Sequence, residues 1–301
     1  LLIGTRSAEW LLGPNTSAEA FSSTNVNAET SSSYGSRNIQ ALRAGKAAVF
    51  VQSAGRRLRE LAYVFQADGF RSPDLNVLAR TITKGGITAT AFQQEPNPIV
   101  WCARLDGTLL GFTYDRDQDV TAWHLHELGG ASDANGTPAA VESVEVIPTP
   151  DGTSEELWVI VKRYINGATV RYVEYLKPYY EVGDDQEDAY YVDCGVTYDS
   201  TAATTLTAIA PHAVGETWTV LADGSAHPDV VVGAGGDIVL SRSASVVQAG
   251  YGYNSDMLTL RLEAGAADGT AQGKTQRIHR VSVRLLHTLG VQYGPSLDSL
   301  D

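Results

Sequence analysis

His124 and His126 flank Leu125 in a strand-like run, so both imidazoles are expected on one face, the simplest way for a strand to offer two nitrogens to a metal. No third ligand stands at a usable spacing, and Glu127 falls on the opposite face. The pair reads as strand histidines, with no metal site. Asp115, Asp117 and Asp119 spell DxDxD, like the opening of a calcium loop. Val120, however, stands where the sharp-turn glycine belongs, and His126 where the bidentate glutamate belongs. A solvated turn between strands is expected instead. Residues 233–237, GAGGD, resemble a phosphate loop only in their glycines, because Ile238-Val239-Leu240 continues as strand rather than opening a helix. No nucleophile elbow or HExxH motif occurs, and no pair of carboxylates is singled out by spacing. The sequence therefore nominates no catalytic, cofactor-binding or metal-binding residue.

The remaining chemistry-bearing residues have structural readings. Asp106-Gly107, Asp151-Gly152 and Asp223-Gly224 are ordinary hairpin turns, where both residue types tolerate positive φ. Cys102 and Cys194 lack metal or framework spacing and read as small buried hydrophobes. Tyr172, Tyr175, Tyr179, Tyr180, Tyr190 and Tyr191 cluster in sequence. Packing between domains is the first expectation for them, and a sugar platform or subunit interface the second.

The elements that carry these residues are strands. Residues 47–52 (AAVFVQ), 99–103 (IVWCA) and 157–161 (LWVIV) are rich in β-branched and aromatic types. Each is followed by a glycine turn and a second apolar run, at 58–65, 109–114 and 169–176, so each unit is a hairpin. Aligned on one another, the hairpins place Phe50, Trp101 and Trp158 at equivalent positions, about 50 to 60 residues apart, the size of a four-stranded propeller blade. Residues 1–5 and 9–12 read as an earlier pair of short strands, and 13–36 as a surface excursion or partner-binding arm. One helix is expected over 72–83, with Ser72 as N-cap, Pro73 in the first turn and Leu75, Leu78, Ala79 and Ile82 on one face. It is expected to pack beside a blade. The acidic run EVGDDQED at 181–188 marks a boundary, giving a propeller-like domain over 1–183 and a small sandwich or barrel over 184–301. In the second domain, strands are expected at 190–193, 204–209, 216–221, 230–232, 238–240, 245–249, 257–262 and 281–286. The fold class is all-β: three to four hairpin or blade units with one short helix, then the smaller β domain.

Composition narrows function. The chain has 301 residues, 22 Lys and Arg against 35 Asp and Glu, and a net charge of −13, which argues against gripping nucleic acid. No run approaches the roughly 18 apolar residues of a spanning helix, so no membrane anchor is expected. The chain opens on Leu1-Leu2-Ile3, and its one methionine is Met257, so it is expected to be a piece of a longer polypeptide.

Several short motifs recur in a shared order. They run from Ile3-Gly4-Thr5 with Glu9-Trp10, through Val49-Phe50-Val51, Arg59-Glu60-Leu61, Asp74-Leu75 and Leu78-Ala79, to Ile99-Val100-Trp101. They continue with Asp106-Gly107-Thr108-Leu109, the Tyr114 to Val120 turn, Ala122-Trp123-His124, the Trp158 to Arg163 strand, Asn166-Gly167 and Arg171-Tyr172-Val173-Glu174. Gly215-Glu216, the Val220 to Gly224 turn, Gly250-Tyr251-Gly252-Tyr253, Gly269-Thr270 and Gly273-Lys274 complete the order. In this arrangement the chain resembles the tail nozzle (tail tubular protein B) family of short-tailed bacteriophages or prophages, over nearly its whole length.

The resemblance implies a non-enzymatic virion structural protein, assembled in the bacterial host cytoplasm into a hexameric ring. Such a ring would contact adaptor and fibre or spike proteins and serve as a conduit for DNA ejection, with DNA passing non-specifically. It supplies no catalytic residue and no cofactor. Members of that family are longer and begin before the point where this chain starts. The competing expectation is a carbohydrate-binding or glycoside-cleaving propeller, which requires paired carboxylates near Trp123 or Tyr114. A third is an adhesin-like module whose 187–301 segment contacts a host partner.

Overall fold

The computed structural model describes residues 1–15, 20–260, 270, 273, 275, 277–286, 288 and 290–301. Strand accounts for 50% and helix for 3%, which makes the protein all-β with several sheets. β1 (Leu2–Gly4), β2 (Glu9–Gly13) and β3 (Asn27–Ser32) form a three-stranded sheet. Three four-stranded antiparallel meanders follow. The first is β4 (Leu42–Ala44), β5 (Ala47–Val51), β6 (Leu58–Val64) and β7 (Gly69–Arg71). The second is β8 (Ile87–Gln93), β9 (Ile99–Arg104), β10 (Leu109–Asp115) and β11 (Val120–His126). The third is β12 (Leu128–Ala131), β13 (Pro138–Pro148), β14 (Glu155–Ile165) and β15 (Ala168–Tyr175).

The unbroken apolar run of β9 has a direct cause in this stacking, because side chains alternate between faces and the second meander is covered on both. Ile99, Trp101 and Ala103 enter one core with Val141, Val144, Leu157 and Val161 of the third meander. Val100 and Cys102 enter the other, with Val49, Val51 and Leu58 of the first. The hairpin turn at Asp106-Gly107 abuts β13, where Gly107 O accepts the Val141 N–H at 2.8 Å.

The last sheet has the order β16 (Asp193–Leu206), β19 (Ile238–Tyr251), β17 (Thr217–Ala222), β18 (Ser225–Val231). Its core draws Leu206, Trp218, Val220, Ile238, Val247 and Tyr251 together, with Ala210 and Ala213 of the intervening loop. One of the protein's sheets is curled like half a barrel.

The hairpins and the β1–β2 pair form where the sequence pattern puts them. Several expectations need correction; the strand expected at 190–193 starts only at Asp193, where the long β16 begins, and those expected at 238–240 and 245–249 are one strand, β19. Residues 72–83 form no helix. They run as successive turns with i to i+3 bonds, such as Ala79 N–H to Asn76 O and Ile82 N–H to Ala79 O. The competitor is β6: the Leu75 N–H donates to Leu58 O, and Asn76 Oδ1 accepts the Leu58 N–H at 2.6 Å, so the segment's polar groups are spent on the sheet. Its apolar residues still pack beside the first meander, through Leu75 and Ile82.

Trp158 is not equivalent to Phe50 and Trp101. Those two lie on the second strand of their meanders and Trp158 on the third, half-buried and stacked on Tyr175 at 5.2 Å. A hairpin of strands two and three and one of strands three and four look alike in sequence. The 13–36 excursion supplies β3, whose polar NAETSS run is placed by pairing with β2. Residues 257–260 and 281–286 carry no strand pairing among the described residues. Arg261 and Leu262, with which the first of these expected strands ends, lie outside the described residues, as do Gly269 and Lys274.

Candidate functional site

The two histidines do share a face of β11. His124 Nδ1 and His126 Nε2 are 2.7 Å apart, and both rings lie against the indole of Trp101, at 5.8 and 5.2 Å between centroids. Gly111 makes this possible, since a Cβ there would meet His124 Cε1 at 2.0 Å. Thr113 Oγ1 sits 3.3 Å from His124 Nε2 and completes a chain of three polar groups. Among the described residues no cluster of three or more His, Cys, Asp or Glu could hold a metal.

Two neutral rings suit the short bond. Burial, with the neighbouring His124, holds His126 down to about 4, and burial also lowers His124. The unfolded chain then takes up a proton, as pH falls from about 6.5 to 4, that folded His126 refuses. Folding is strongest above that window and weakens through it. Asp193, pushed up to about 6 by burial, acts with the opposite sign, because its folded form keeps a proton until pH rises through 6. The His126 contribution therefore shows as a difference. The stability gap between the native chain and a His126→Phe variant is expected to narrow by about 2 to 3 kcal/mol from pH 7.5 to pH 4, read by denaturant titration at each pH. A gap independent of pH would contradict a desolvated His126.

An open groove of about 710 Å³ runs between β3 and the β6–β7 edge, with Tyr34, Glu60, Phe70, Arg71, Ser72 and Arg116 in its wall. Glu60 is its one carboxylate among the described residues. Tyr114 Oη donates to Glu60 Oε2 at 2.7 Å, and Arg116 Nε lies 3.2 Å from Oε1. Burial and that carboxylate push the Tyr114 hydroxyl well up. Trp123 turns away, donating to Leu75 O at 2.9 Å. The groove thus presents a single, doubly engaged carboxylate, where glycoside cleavage uses two.

The densest polar cluster joins the third meander to the last sheet. Leu157, Val159, Val161, Arg163 and Ile165 alternate inward on β14, so Arg163 is carried into the interior with its side chain 1% exposed. Nε and Nη2 grip Glu174 at 2.6 and 2.7 Å, and Nη1 donates to Gly129 O at 2.7 Å. The guanidinium lies 5.3 Å from the Tyr251 ring centroid. Asp193 Oδ2 accepts the Gly129 N–H at 2.7 Å, which clamps β12 between β14 and β16. Burial opposes the charge on Arg163 most strongly, but the Glu174 bond and the nearby acidic groups, Glu174, Asp193 and Cys194, together outweigh it, so the guanidinium is held cationic. Sequence periodicity carried the signal for this arginine, through its place on the apolar face of β14. Its partner Glu174 lies on β15 and follows only from the strand register.

The other residues settle as turns and packing. Asp117 and Asp119 stand in the exposed 116–119 turn, and Asp115 Oδ1 caps it by accepting the Gln118 N–H. Residues 233–237 turn β18 into β19 with Gly235 and Gly236 at positive φ. Asp223 Oδ1 accepts the Ser245 and Val246 N–H groups, so this turn also ties β17–β18 to β19. Both cysteines are free, Cys102 wholly buried and Cys194 partly so. The tyrosines divide: Tyr172 donates to His212 O across the junction, whereas Tyr175, Tyr179 and Tyr191 stay exposed.

The protein is all-β and multi-sheet, and among the described residues no helix is long and apolar enough to cross a membrane. Compared with known protein families and with curated protein sequences, the chain matches none.

Proposed function

We propose that the chain is a structural component of a bacteriophage tail, a nozzle-type subunit whose work is assembly into a ring that conducts DNA. The observation that carries this reading is the order of motifs along the chain, from Ile3-Gly4-Thr5 to Gly250-Tyr251-Gly252-Tyr253. The stacked meanders support it, since meanders packed face to face are the building plan of propeller blades. The excess of acidic residues supports a conduit: phosphates passing a surface of like charge are not held. In this reading the protein binds identical subunits, adaptor and fibre or spike proteins, works in the virion, and carries out no catalysis.

Negative-stain imaging of the concentrated chain tests it. Closed rings with an open centre are expected, and uniform single particles would contradict it. The groove at Glu60, with Tyr34 and Phe70 beside a carboxylate and Arg71, favours the second reading, a carbohydrate-binding module. Retention on a glycan array, lost in Glu60→Ala, would move that reading ahead.

A further inference from the structure

The C-terminal stretch and the body of the chain differ in charge. Residues 270–297 contain Lys274, Arg277, Arg280 and Arg284 and no Asp or Glu, in a chain of net charge −13. Within it, Ile278, Val281, Val283 and Leu285 are each more than half exposed, and no sheet among the described residues takes them in. They bound only an open space of about 650 Å³ shared with Val291 and Tyr293 of the same stretch. Residues 280–285, RVSVRL, alternate as a strand does, with Val281, Val283 and Leu285 at one parity and Arg280 and Arg284 at the other.

A surface of opposite character lies on β15. Among the described residues this strand pairs with β14 alone, which leaves its second edge open there. Val173 and Tyr175 on the strand, then Leu176, Tyr179, Val182 and Tyr191 in the segment after it, are all exposed. The acidic run 181–188 follows directly, and Lys177 Nζ at 3.7 Å from Asp188 Oδ1 folds it back beside the end of the strand. Arg171, the cation on the strand itself, is already paired with Glu142 at 2.7 Å, so it does not repel a basic segment.

We propose that residues 277–286 of one copy add as a strand along the β15 edge of a second copy, with the tail arginines against the acidic 181–188 run. Main-chain bonds along an open edge give such an addition its affinity, and the charges choose the partner. The inference deepens the assembly reading by naming its contact surface.

A charge swap tests it. Sedimentation velocity is run on the native chain, on Arg277→Glu/Arg280→Glu/Arg284→Glu, on Glu181→Lys/Asp185→Lys/Glu187→Lys, and on the two variants mixed, with far-ultraviolet dichroism checking that the β content of each is kept. The native chain is expected to self-associate, more weakly as salt rises. Each variant alone should lose association by about tenfold or more, and the mixture should regain it. Association untouched by either variant, or a mixture that stays dissociated, overturns the strand addition and leaves the assembly reading standing. A native chain that remains monomeric at high micromolar concentration overturns both.

Discussion

Arg163→Ala is expected to cost about 3 to 5 kcal/mol, because it strands the largely buried Glu174 carboxylate without its cation and leaves Gly129 O without its donor. Removing one partner of a buried pair costs more than the pair contributes, since the remaining charge has lost both water and counter-ion. Net stabilities of single domains are about 5 to 15 kcal/mol, so the loss is a large share of the whole. The check is the denaturant midpoint, together with a double variant, Arg163→Met/Glu174→Leu. Replacing both charges with apolar side chains of similar volume should recover most of the loss. A single variant within about 0.5 kcal/mol of the native chain would mean that the clamp joining β12, β14 and β16 is not formed.

Gly107→Val is expected to cost about 3 to 4 kcal/mol by two separable effects. The residue has φ +90°, which an L side chain tolerates at a cost of about 1 to 2 kcal/mol. A Cβ there would also stand 2.3 Å from Ala140 Cβ, at the contact between the second and third meanders. Gly152→Val provides the comparison: its φ is +70° and nothing lies within 4 Å of the added carbon. The difference between the two measured losses is the cost of wedging the meanders apart. Equal losses would remove the face-to-face stacking on which the blade-like reading depends.

The hairpins were legible in the sequence because their signals are local: an Asp-Gly or Asn-Gly turn between two apolar runs leaves little choice of pairing. β3 was not, since nothing in NAETSS distinguishes a strand from a loop until β2 offers it an edge. There Glu9, fully buried, accepts hydrogen bonds from the Ser32 and Ser36 hydroxyls. Residues 72–83 mislead for the converse reason, as their helical spacing is real but their backbone bonds more favourably to β6. Residues 281–286 have the alternation of a strand and, among the described residues, no pairing. Of the candidate sites, the shared face of His124 and His126 could be read from their spacing alone. The Arg163 clamp could not, because it is assembled by strand register from residues far apart in sequence.

The proposed function requires this protein to assemble with copies of itself. Light scattering coupled to size exclusion, over a wide range of protein concentration, measures that directly. The mass is expected to rise above the 32.1 kDa of one chain and approach six times that value as concentration increases. A mass fixed at 32.1 kDa throughout the range would contradict it.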